Sequence, residues 1–308
     1  MTVPLLLCPV DPLSPRRADP RFAVEARLAR ELGWNVGLLD HDALLAGEGR
    51  RALPRLPAGE HLAWYRGWMV PAPRYQELSA LLADRGVRLH TDGECYRRAH
   101  ELPGWYGTFQ DLTPASVWSE GTVPEGAGLA ALARELGAGP GLVKDYVKSR
   151  KHEWDEACYL PDLTDPAQVA RVVGRFVELQ EEFLTGGVVL RAFEEFSAEV
   201  GEARVWWVAG EPVLVTAHPD TPALEPAPGL APVRYAVKAL GCPFVTTDLA
   251  WRRDGVWRVV EVGDGQVSDL PRDEDQNPSP EDLRPLFEAL AQHTRSLAPA
   301  EERDEEPA

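Results

Sequence analysis

The chain has 308 residues, 44% of them hydrophobic and 26% charged, which is ordinary for a globular protein of one to three domains. A net charge of −17 at pH 7 argues against nucleic acid as the main partner, because an acidic surface repels a phosphate backbone. No apolar run is long enough to predict a transmembrane helix and no signal peptide is evident, so we expect a cytoplasmic protein without a membrane partner.

The first 95 residues predict a small α/β domain. An apolar run predicts a strand over 3–8, an amphipathic pattern predicts a helix over 21–33, and a second strand follows over 34–40. These three elements make a βαβ unit. The alternation continues with a strand over 61–67, a helix over 73–86 and a strand over 87–91.

Arg66 lies near the end of the third predicted strand, in the sequence WYRGW. Ligands of open α/β sheets gather at the carboxyl ends of strands, so Arg66 is a candidate catalytic residue that holds an anionic group of a substrate. Its guanidinium could equally stack on Trp64 or Trp68, and its role would then be structural.

The remaining chain predicts two further units, at 96–186 and 187–293, followed by an acidic, disordered tail over 294–308. The first unit has a helix and connector over 96–125, a helix over 128–141, a strand over 141–147 and a helix over 165–184. The second has strands over 187–193, 202–210 and 211–218, a Pro-rich loop over 219–232, a helix over 233–241 and a hairpin over 244–264.

Lysine is scarce in this chain, because only four of the 32 basic residues are lysines. Three of the four, Lys144, Lys148 and Lys151, fall within eight positions, in LVKDYVKSRKHEW. A flexible ammonium differs from a guanidinium in how it holds phosphate, so the cluster indicates a phosphate site. A solvated basic turn is the alternative interpretation.

Two acidic residues are predicted to face each other in the hairpin over 244–264. Counting outward from the Asp254-Gly255 turn makes Asp248 and Glu261 nearly cross-strand neighbours. Two adjacent carboxylates repel unless a cation lies between them, and Mg²⁺ prefers such oxygen ligands. The alternative is a pair of surface acids that are neutralised by nearby arginines, namely Arg252, Arg253 or Arg258.

The common nucleotide-binding fingerprints are missing from the sequence. No G-x-x-x-x-G-K-[ST] motif occurs, and no G-x-G-x-x-G follows the first strand. The lysine strand and the carboxylate hairpin together still indicate a site for a nucleoside triphosphate and its metal ion.

The order of these motifs resembles that of the ATP-grasp superfamily, in particular the less-characterised ATP-grasp proteins of bacteria and phages. The resemblance covers roughly residues 60–268 and lies in motif order rather than in one long signature. It implies an α/β protein with an ATP-grasp fold, in which two α+β lobes follow an N-terminal Rossmann-like domain. It also implies ATP and Mg²⁺ as cofactors.

The resemblance assigns nucleotide contacts to two segments. LVKDYVKSRKHEW resembles the phosphate-binding strand and its loop, which implies Lys144 and Lys148 on the α- and β-phosphates. Residues 149–151, including Ser149, would belong to a mobile loop near the γ-phosphate. GVVLRAFEEF resembles the strand that leads into the linker between the lobes.

In that second segment, the resemblance implies that the backbone around Ala192 and Phe193 hydrogen-bonds the adenine. Glu194 or Glu202 would accept a hydrogen bond from the adenine or the ribose. Arg191, like Arg66, is a candidate holder of a phosphate or carboxylate.

The third group of residues concerns catalysis and the metal. EARVWWVAGEPV resembles a Glu-x-Arg strand of the family, which puts Arg204 near the phosphates or a carboxylate substrate. Asp248 and Glu261 are the implied Mg²⁺ ligands. Where the family pattern ends in Glu-x-Asn this chain has Gly263, so Asp264, or else Gln266, is the candidate third ligand.

A second departure is that no lysine precedes Lys144, although many relatives have one. A lysine of the cluster or an arginine such as Arg98 replaces it, or the contact is absent.

ATP-grasp enzymes generally activate a carboxylate as an acyl phosphate, which an amine or thiol then attacks. We therefore expect a ligase that joins a small-molecule or peptide carboxylate to an amine or thiol. Two alternatives stay open: a kinase on the same fold, and a nucleotide- or partner-binding module without turnover. The oligomeric state also stays open, with a dimer as the commonest arrangement among oligomers.

Overall fold

A computed structural model describes residues 3–53, 56, 59–270 and 279–297. Its N-terminal domain contains these elements in chain order: β1 (Leu5–Asp11), β2 (Ser14–Ala18), α1 (Ala23–Glu31), β3 (Asn35–Leu39), α2 (His41–Leu45), α3 (Gly49–Ala52), β4 (His61–Tyr65), α4 (Ala72–Ala83) and β5 (Val87–Leu89).

The N-terminal domain is built on a parallel sheet. β1 pairs in parallel with β3 and with β4, and β4 pairs in parallel with β5. Leu5, Leu6 and Leu7 are fully buried, since packed elements cover both faces of this sheet. The predicted βαβ unit is confirmed. β2, in contrast, was not predicted, because its sequence SPRRA has no apolar alternation and it lies largely exposed against the end of β1.

The first lobe consists of α5 (Gly93–His100), α6 (Leu102–Phe109), β6 (Ser116–Trp118), α7 (Gly126–Arg134), β7 (Gly141–Lys144), α8 (Trp154–Ala157), β8 (Tyr159–Leu160), α9 (Pro166–Gln180) and β9 (Val189–Ala192). Its antiparallel sheet has the order β6-β9-β7-β8. β7 ends at Lys144 and not at residue 147, because the chain turns at Asp145. β9, predicted within the second lobe, pairs here with β6 and β7.

The second lobe consists of β10 (Glu202–Val208), β11 (Glu211–Ala217), α10 (Ala231–Leu240), β12 (Phe244–Arg252), β13 (Val256–Asp264) and α11 (Pro280–Ser296). Its antiparallel sheet has the order β11-β10-β12-β13. Ala209 and Gly210 both have positive φ, 51° and 79°, as a two-residue hairpin turn requires. Both predicted hairpins are therefore present.

The second-lobe sheet lies at the centre of the molecule and packs on both faces. Trp206 and Trp207 are neighbours on β10 and point to opposite sides. Trp206 packs with residues of the N-terminal domain and α11, whereas Trp207 packs with the layer of α6 and α10. The two cores join all three predicted units into one structure.

The C-terminal helix α11 is absent from the predicted elements. It ends at Ser296, within the segment 294–308 that was expected to be disordered. The rest of that segment, from residue 298, lies outside the described residues. Among the helices of the described chain, none is long and apolar enough to cross a membrane.

α11 docks through a buried histidine whose titration can be measured. The His90 ring stacks on Trp64, with centroids 4.0 Å apart, and its Nε2 lies 2.8 Å from Thr294 Oγ1 of α11. Burial, with repulsion from His293 and Arg88, lowers the pKa of His90 to about 3. His90 is therefore neutral in the folded protein at pH values where it is charged in the unfolded chain.

We expect His90 to make the fold acid-sensitive. The folded pKa lies below the unfolded one, so its contribution is complete above pH 6.5 and is lost as the pH falls from about 6.5 towards 3. Between pH 8 and pH 5 the loss amounts to about 2 kcal/mol. Urea unfolding at both pH values should show a smaller pH effect for His90→Phe. An equal effect in the two proteins would contradict this role.

Candidate active site

A cavity of about 740 Å³ lies between the two antiparallel sheets. The ends of β7 and β9 form one wall, and β10 and β13 contribute the other. All eight residues predicted to bind the nucleotide line this cavity: Lys144, Lys148, Ser149, Arg191, Ala192, Phe193, Glu194 and Glu202. Glu261 lines it as well, so the lysine strand and the carboxylate hairpin meet in one place.

The lysine end of the cavity is built on β7 and the turn that follows. Lys144 is only 9% exposed, and it forms a β-bridge with Ser149 across the turn that carries Lys148. Burial lowers the pKa of Lys144, while the nearby Glu261 carboxylate opposes that shift. Lys144 is thus part of a formed cavity and not of a solvated basic turn.

The segment after the lysine turn reaches across to the second lobe. Lys151 forms an ion pair with Asp220, which follows β11. Residues predicted as a mobile loop form a short 3₁₀ helix, Lys151–Glu153, and then α8. This segment therefore borders the cavity as a strap between the lobes.

The other end of the cavity is aromatic. Trp154 stacks on Tyr159 at a centroid distance of 5.3 Å, and the Phe193 ring lies edge-on to Tyr159, also at 5.3 Å. Trp154 and Phe193 both line the cavity, and Trp154 is 38% exposed. A flat heterocyclic base can stack on such a surface. Sequence reasoning missed Trp154, because it lies outside the predicted strands in a polar segment without a distinguishing pattern.

The adenine contacts implied by the resemblance are changed by the observed hydrogen bonds. The Ala192 N–H donates to the Ala115 carbonyl at 2.8 Å, and the Phe193 N–H donates to the Pro140 carbonyl at 3.0 Å. Neither N–H is therefore available to a base. Two neighbouring strands already use them.

Two further predicted contacts, Glu194 and Arg191, have partners within the protein. The Glu194 carboxylate accepts two hydrogen bonds from Arg258, each 3.0 Å, and lies 3.1 Å from Arg252. Arg191 donates to the Val260 carbonyl at 2.7 Å. Burial lowers the pKa of Arg191 to about 10. Both side chains line the cavity as held groups rather than as free ones.

The predicted pairing of the hairpin acids is confirmed, since Asp248 and Glu261 are direct partners in the register of β12 and β13. On its other side Asp248 faces Arg204 of β10, which donates Nε–H to Oδ1 and Nη2–H to Oδ2, both at 2.7 Å. Asp248 is 3% exposed, whereas Glu261 is exposed to the cavity.

The arginines named as alternative partners of these acids bind elsewhere. Arg252 pairs with Asp254, Arg253 with Glu195 and Arg258 with Glu194. Glu261 forms no ion pair with them, so a surface salt-bridge interpretation of the hairpin does not hold.

Glu202 and His218 complete an acidic group that sequence reasoning did not assemble. Glu202, His218 and Asp248 each offer a ligand atom, and these atoms lie within 4.8 Å of one another. Burial, and then the carboxylates of Asp248 and Glu261, raise the pKa of Glu202 to about 8. Three carboxylates that repel in this way suit a divalent cation, and their oxygen atoms suit Mg²⁺.

His218 is oriented as a hydrogen-bond donor. Its Nδ1 accepts the Asp220 N–H at 3.1 Å, so in the neutral ring the proton resides on Nε2, which lies 3.5 Å from Asp248 Oδ2. The carboxylates, rather than the imidazole, therefore present lone pairs to a cation. The position of His218 at the end of the predicted strand 211–218 is the one sequence signal that could have indicated it.

A smaller chamber of about 200 Å³ continues from the cavity past these acids. Arg204, Asp248, Gly263 and Asp264 line it, with Met69 from the N-terminal domain at the junction with the main cavity. The chamber gives the site a second compartment beside the metal-binding carboxylates.

Asp264 borders this chamber but does not join Asp248 and Glu261. It is fully buried, and the alternation of β13 turns it to the face opposite Glu261. Its Oδ1 accepts the Gln266 N–H at 2.9 Å, and burial raises the pKa of Asp264 to about 7. Gln266, the other candidate ligand, is also fully buried and bonds to Tyr65 and Tyr75.

Arg66 lies outside both compartments. It is 1% exposed and forms an ion pair with the equally buried Glu25 at 2.6 Å. It also donates to the carbonyls of Gly265 and Ser268, at 2.5 and 3.0 Å. Within the described part of the chain its guanidinium is committed to these partners, so it does not reach the site. The predicted contact between Arg66 and a substrate is corrected to a structural ion pair.

Residues 135–290 match a family model described as an ATP-grasp domain, the third family of its clade. This match covers just over half of the 308 residues, so the chain belongs to that ATP-grasp family. The predicted ATP-grasp assignment and its α/β fold are confirmed. Among curated proteins, none matches the sequence.

Solved structures with the same fold are distant in sequence. D-cycloserine synthetase DcsG has a TM-score of 0.57 and 16% identity, with 94% of this chain and 99% of that one covered. A RimK domain ATP-grasp protein from Sphaerobacter thermophilus has a TM-score of 0.54 and 13% identity, with 86% and 92% covered. The ATP-grasp ligase PsnB, solved with a minimal precursor, Mg and ADP, has a TM-score of 0.54 and 12% identity, with 95% and 98% covered.

We expect Arg66→Met to unfold more easily than the native protein by about 3–5 kcal/mol, because Glu25 would remain as an unpaired buried charge. The double variant Glu25→Leu/Arg66→Met should recover part of that loss, and the exposed Arg175→Met is the matched control, with about 0–1 kcal/mol. Urea titrations measure all three. Unchanged stability of Arg66→Met would contradict the structural role.

Proposed function

We propose that this protein is an ATP- and Mg²⁺-dependent ligase that activates a carboxylate as an acyl phosphate and joins it to an amine or thiol. The observation that carries the proposal is the shared cavity, in which Lys144 and Lys148 lie across from Asp248 and Glu261. Cationic side chains and a metal-binding acid pair are the two components that a transferring phosphoryl group needs.

The cavity suits a nucleotide in size and in polarity. Its volume of about 740 Å³ falls in the range of small-molecule sites. The aromatic end at Trp154 and Phe193 would hold the base, and the lysine end would hold the triphosphate. The contacts to the base would come from stacking and from groups other than the Ala192 and Phe193 N–H.

Asp248 and Glu261, with Glu202 beside them, are the residues that would hold Mg²⁺. A bound Mg²⁺ would neutralise negative charge on the phosphate oxygens. Arg204 already neutralises part of the charge of Asp248, and its remaining N–H groups would position an anionic substrate at the entrance of the second chamber.

The second chamber supports a two-substrate reaction. It adjoins the carboxylates and is lined by polar groups, so a substrate carboxylate and a nucleophile would meet there. An acyl phosphate must be shielded from water, and the Lys151–Asp220 pair between the lobes is placed to close over it. The neighbours support this class of reaction, because one is a synthetase and another is a ligase solved with Mg and ADP.

We expect Lys144→Ala and Lys148→Ala each to weaken ATP binding by about 10-fold or more, because each removes a charge-assisted phosphate contact. Calorimetric titration with a non-hydrolysable ATP analogue and Mg²⁺ measures the affinity. Lys238→Ala is the matched control, since Lys238 is paired with Glu211 at 2.7 Å away from the cavity and should change affinity less than about two-fold. Native affinity in both cluster variants would contradict the proposed site.

Product analysis tests the reaction itself. A ligase releases ADP and phosphate together with an amide or thioester, whereas a kinase yields a phosphorylated product without free phosphate. Binding of ATP with no ADP formed over a panel of small carboxylates, peptides and amines would favour a module without turnover.

A further inference from the structure

Asp145 lies one residue after Lys144 and organises the turn that carries the lysine cluster. The Asp145 N–H donates to the Lys148 carbonyl at 2.9 Å, and Lys144 bridges to Ser149. The chain therefore reverses tightly within four residues. Asp145 itself does not line the cavity, so any effect on a ligand must pass through its neighbours.

The Asp145 carboxylate is 1% exposed and accepts four N–H groups. Oδ1 accepts from the backbone of Val147 at 2.7 Å and of Lys148 at 2.6 Å. Oδ2 accepts from Gln180 Nε2 at 2.8 Å and from the Thr185 backbone at 3.2 Å. A buried carboxylate requires such donors, and these four tie the turn to α9 and to the start of the segment that leads into β9.

Gln180 carries the same network to a second basic residue. Its Oε1 accepts Arg150 Nε–H at 2.8 Å, and Arg150 also donates to the Leu179 carbonyl. Gln180 is 6% exposed and has both ends of its amide occupied. One buried carboxylate thus fixes the backbone of Lys148 directly and the side chain of Arg150 through Gln180.

We propose that Asp145 is the positioning residue of the lysine turn, which holds Lys148 in the orientation that contacts ATP phosphate. This inference rests on the proposed function. The structure supports it over a purely stabilising role, because two of the four hydrogen bonds end on the lysine turn itself. The other two fix the carboxylate from outside that turn.

The test is a double-mutant cycle between Asp145→Asn and Lys148→Ala, with ATP affinity as the readout. Asparagine keeps the shape but replaces one acceptor oxygen with a donor, so two N–H groups lose their acceptor. We expect Asp145→Asn alone to weaken ATP binding about 10-fold, and to change it less than about two-fold when Lys148 is already alanine. Full additivity of the two losses, or native affinity in Asp145→Asn, would overturn the inference.

A matched control and a second readout separate positioning from general loss of stability. Asp165→Asn makes the same chemical change at the N-cap of α9, where the carboxylate accepts from Ala167 and Gln168, and it should leave ATP affinity unchanged. Hydrogen exchange at the Val147 and Lys148 amides should quicken in Asp145→Asn and not in Asp165→Asn. Unchanged exchange at both amides would count against the proposal.

Gln180→Leu provides an independent variant if Asp145→Asn does not fold. It removes one of the four donors, and we expect a loss of ATP affinity of several-fold that disappears in the Lys148→Ala background. A loss that persists there would contradict the proposal. If Lys148→Ala by itself leaves ATP affinity unchanged, the proposed site fails and this inference fails with it, whereas additivity alone overturns only the positioning role.

Discussion

The rest of the site depends on the register of β12, the strand that places Asp248 between a basic and an acidic neighbour. Arg204 lies opposite it on β10 and Glu261 lies opposite it on β13. A buried carboxylate is costly unless it is paired, and Arg204 supplies that pairing at 2.7 Å. Glu261 then remains free to face the cavity. A shift of one residue in either pairing would turn these side chains to opposite faces of the sheet.

The N-terminal domain is joined to this sheet by buried polar contacts. Arg66 pairs with Glu25 of α1 and also donates to the carbonyls of Gly265 and Ser268, just after β13. The Gln266 side chain accepts the Tyr65 N–H at 3.0 Å. These bonds connect the strand that carries Glu261 with the β4 loop that carries Met69. The domain therefore shapes the second chamber, although its one predicted site residue is structural.

Local patterns allowed much of the fold and part of the site to be predicted. The Asp254-Gly255 turn and the apolar residues around it fix the hairpin register, so Asp248 and Glu261 could be paired by counting. The roles of Arg66 and His218 could not be predicted, because each depends on partners that only the folded chain brings close. Glu25 lies 41 residues from Arg66, and no sequence spacing indicates that both would be buried. The occupied N–H groups of Ala192 and Phe193 likewise depend on strands distant in sequence.

A crystal structure with Mg²⁺ and a non-hydrolysable ATP analogue tests the central claim most directly, namely that the lysine turn and the acid pair serve one nucleotide. The account predicts a triphosphate between Lys144, Lys148 and a metal ion held by Asp248 and Glu261, with the base beside Trp154. A nucleotide bound elsewhere, or a metal ion that does not contact the hairpin acids, would contradict it.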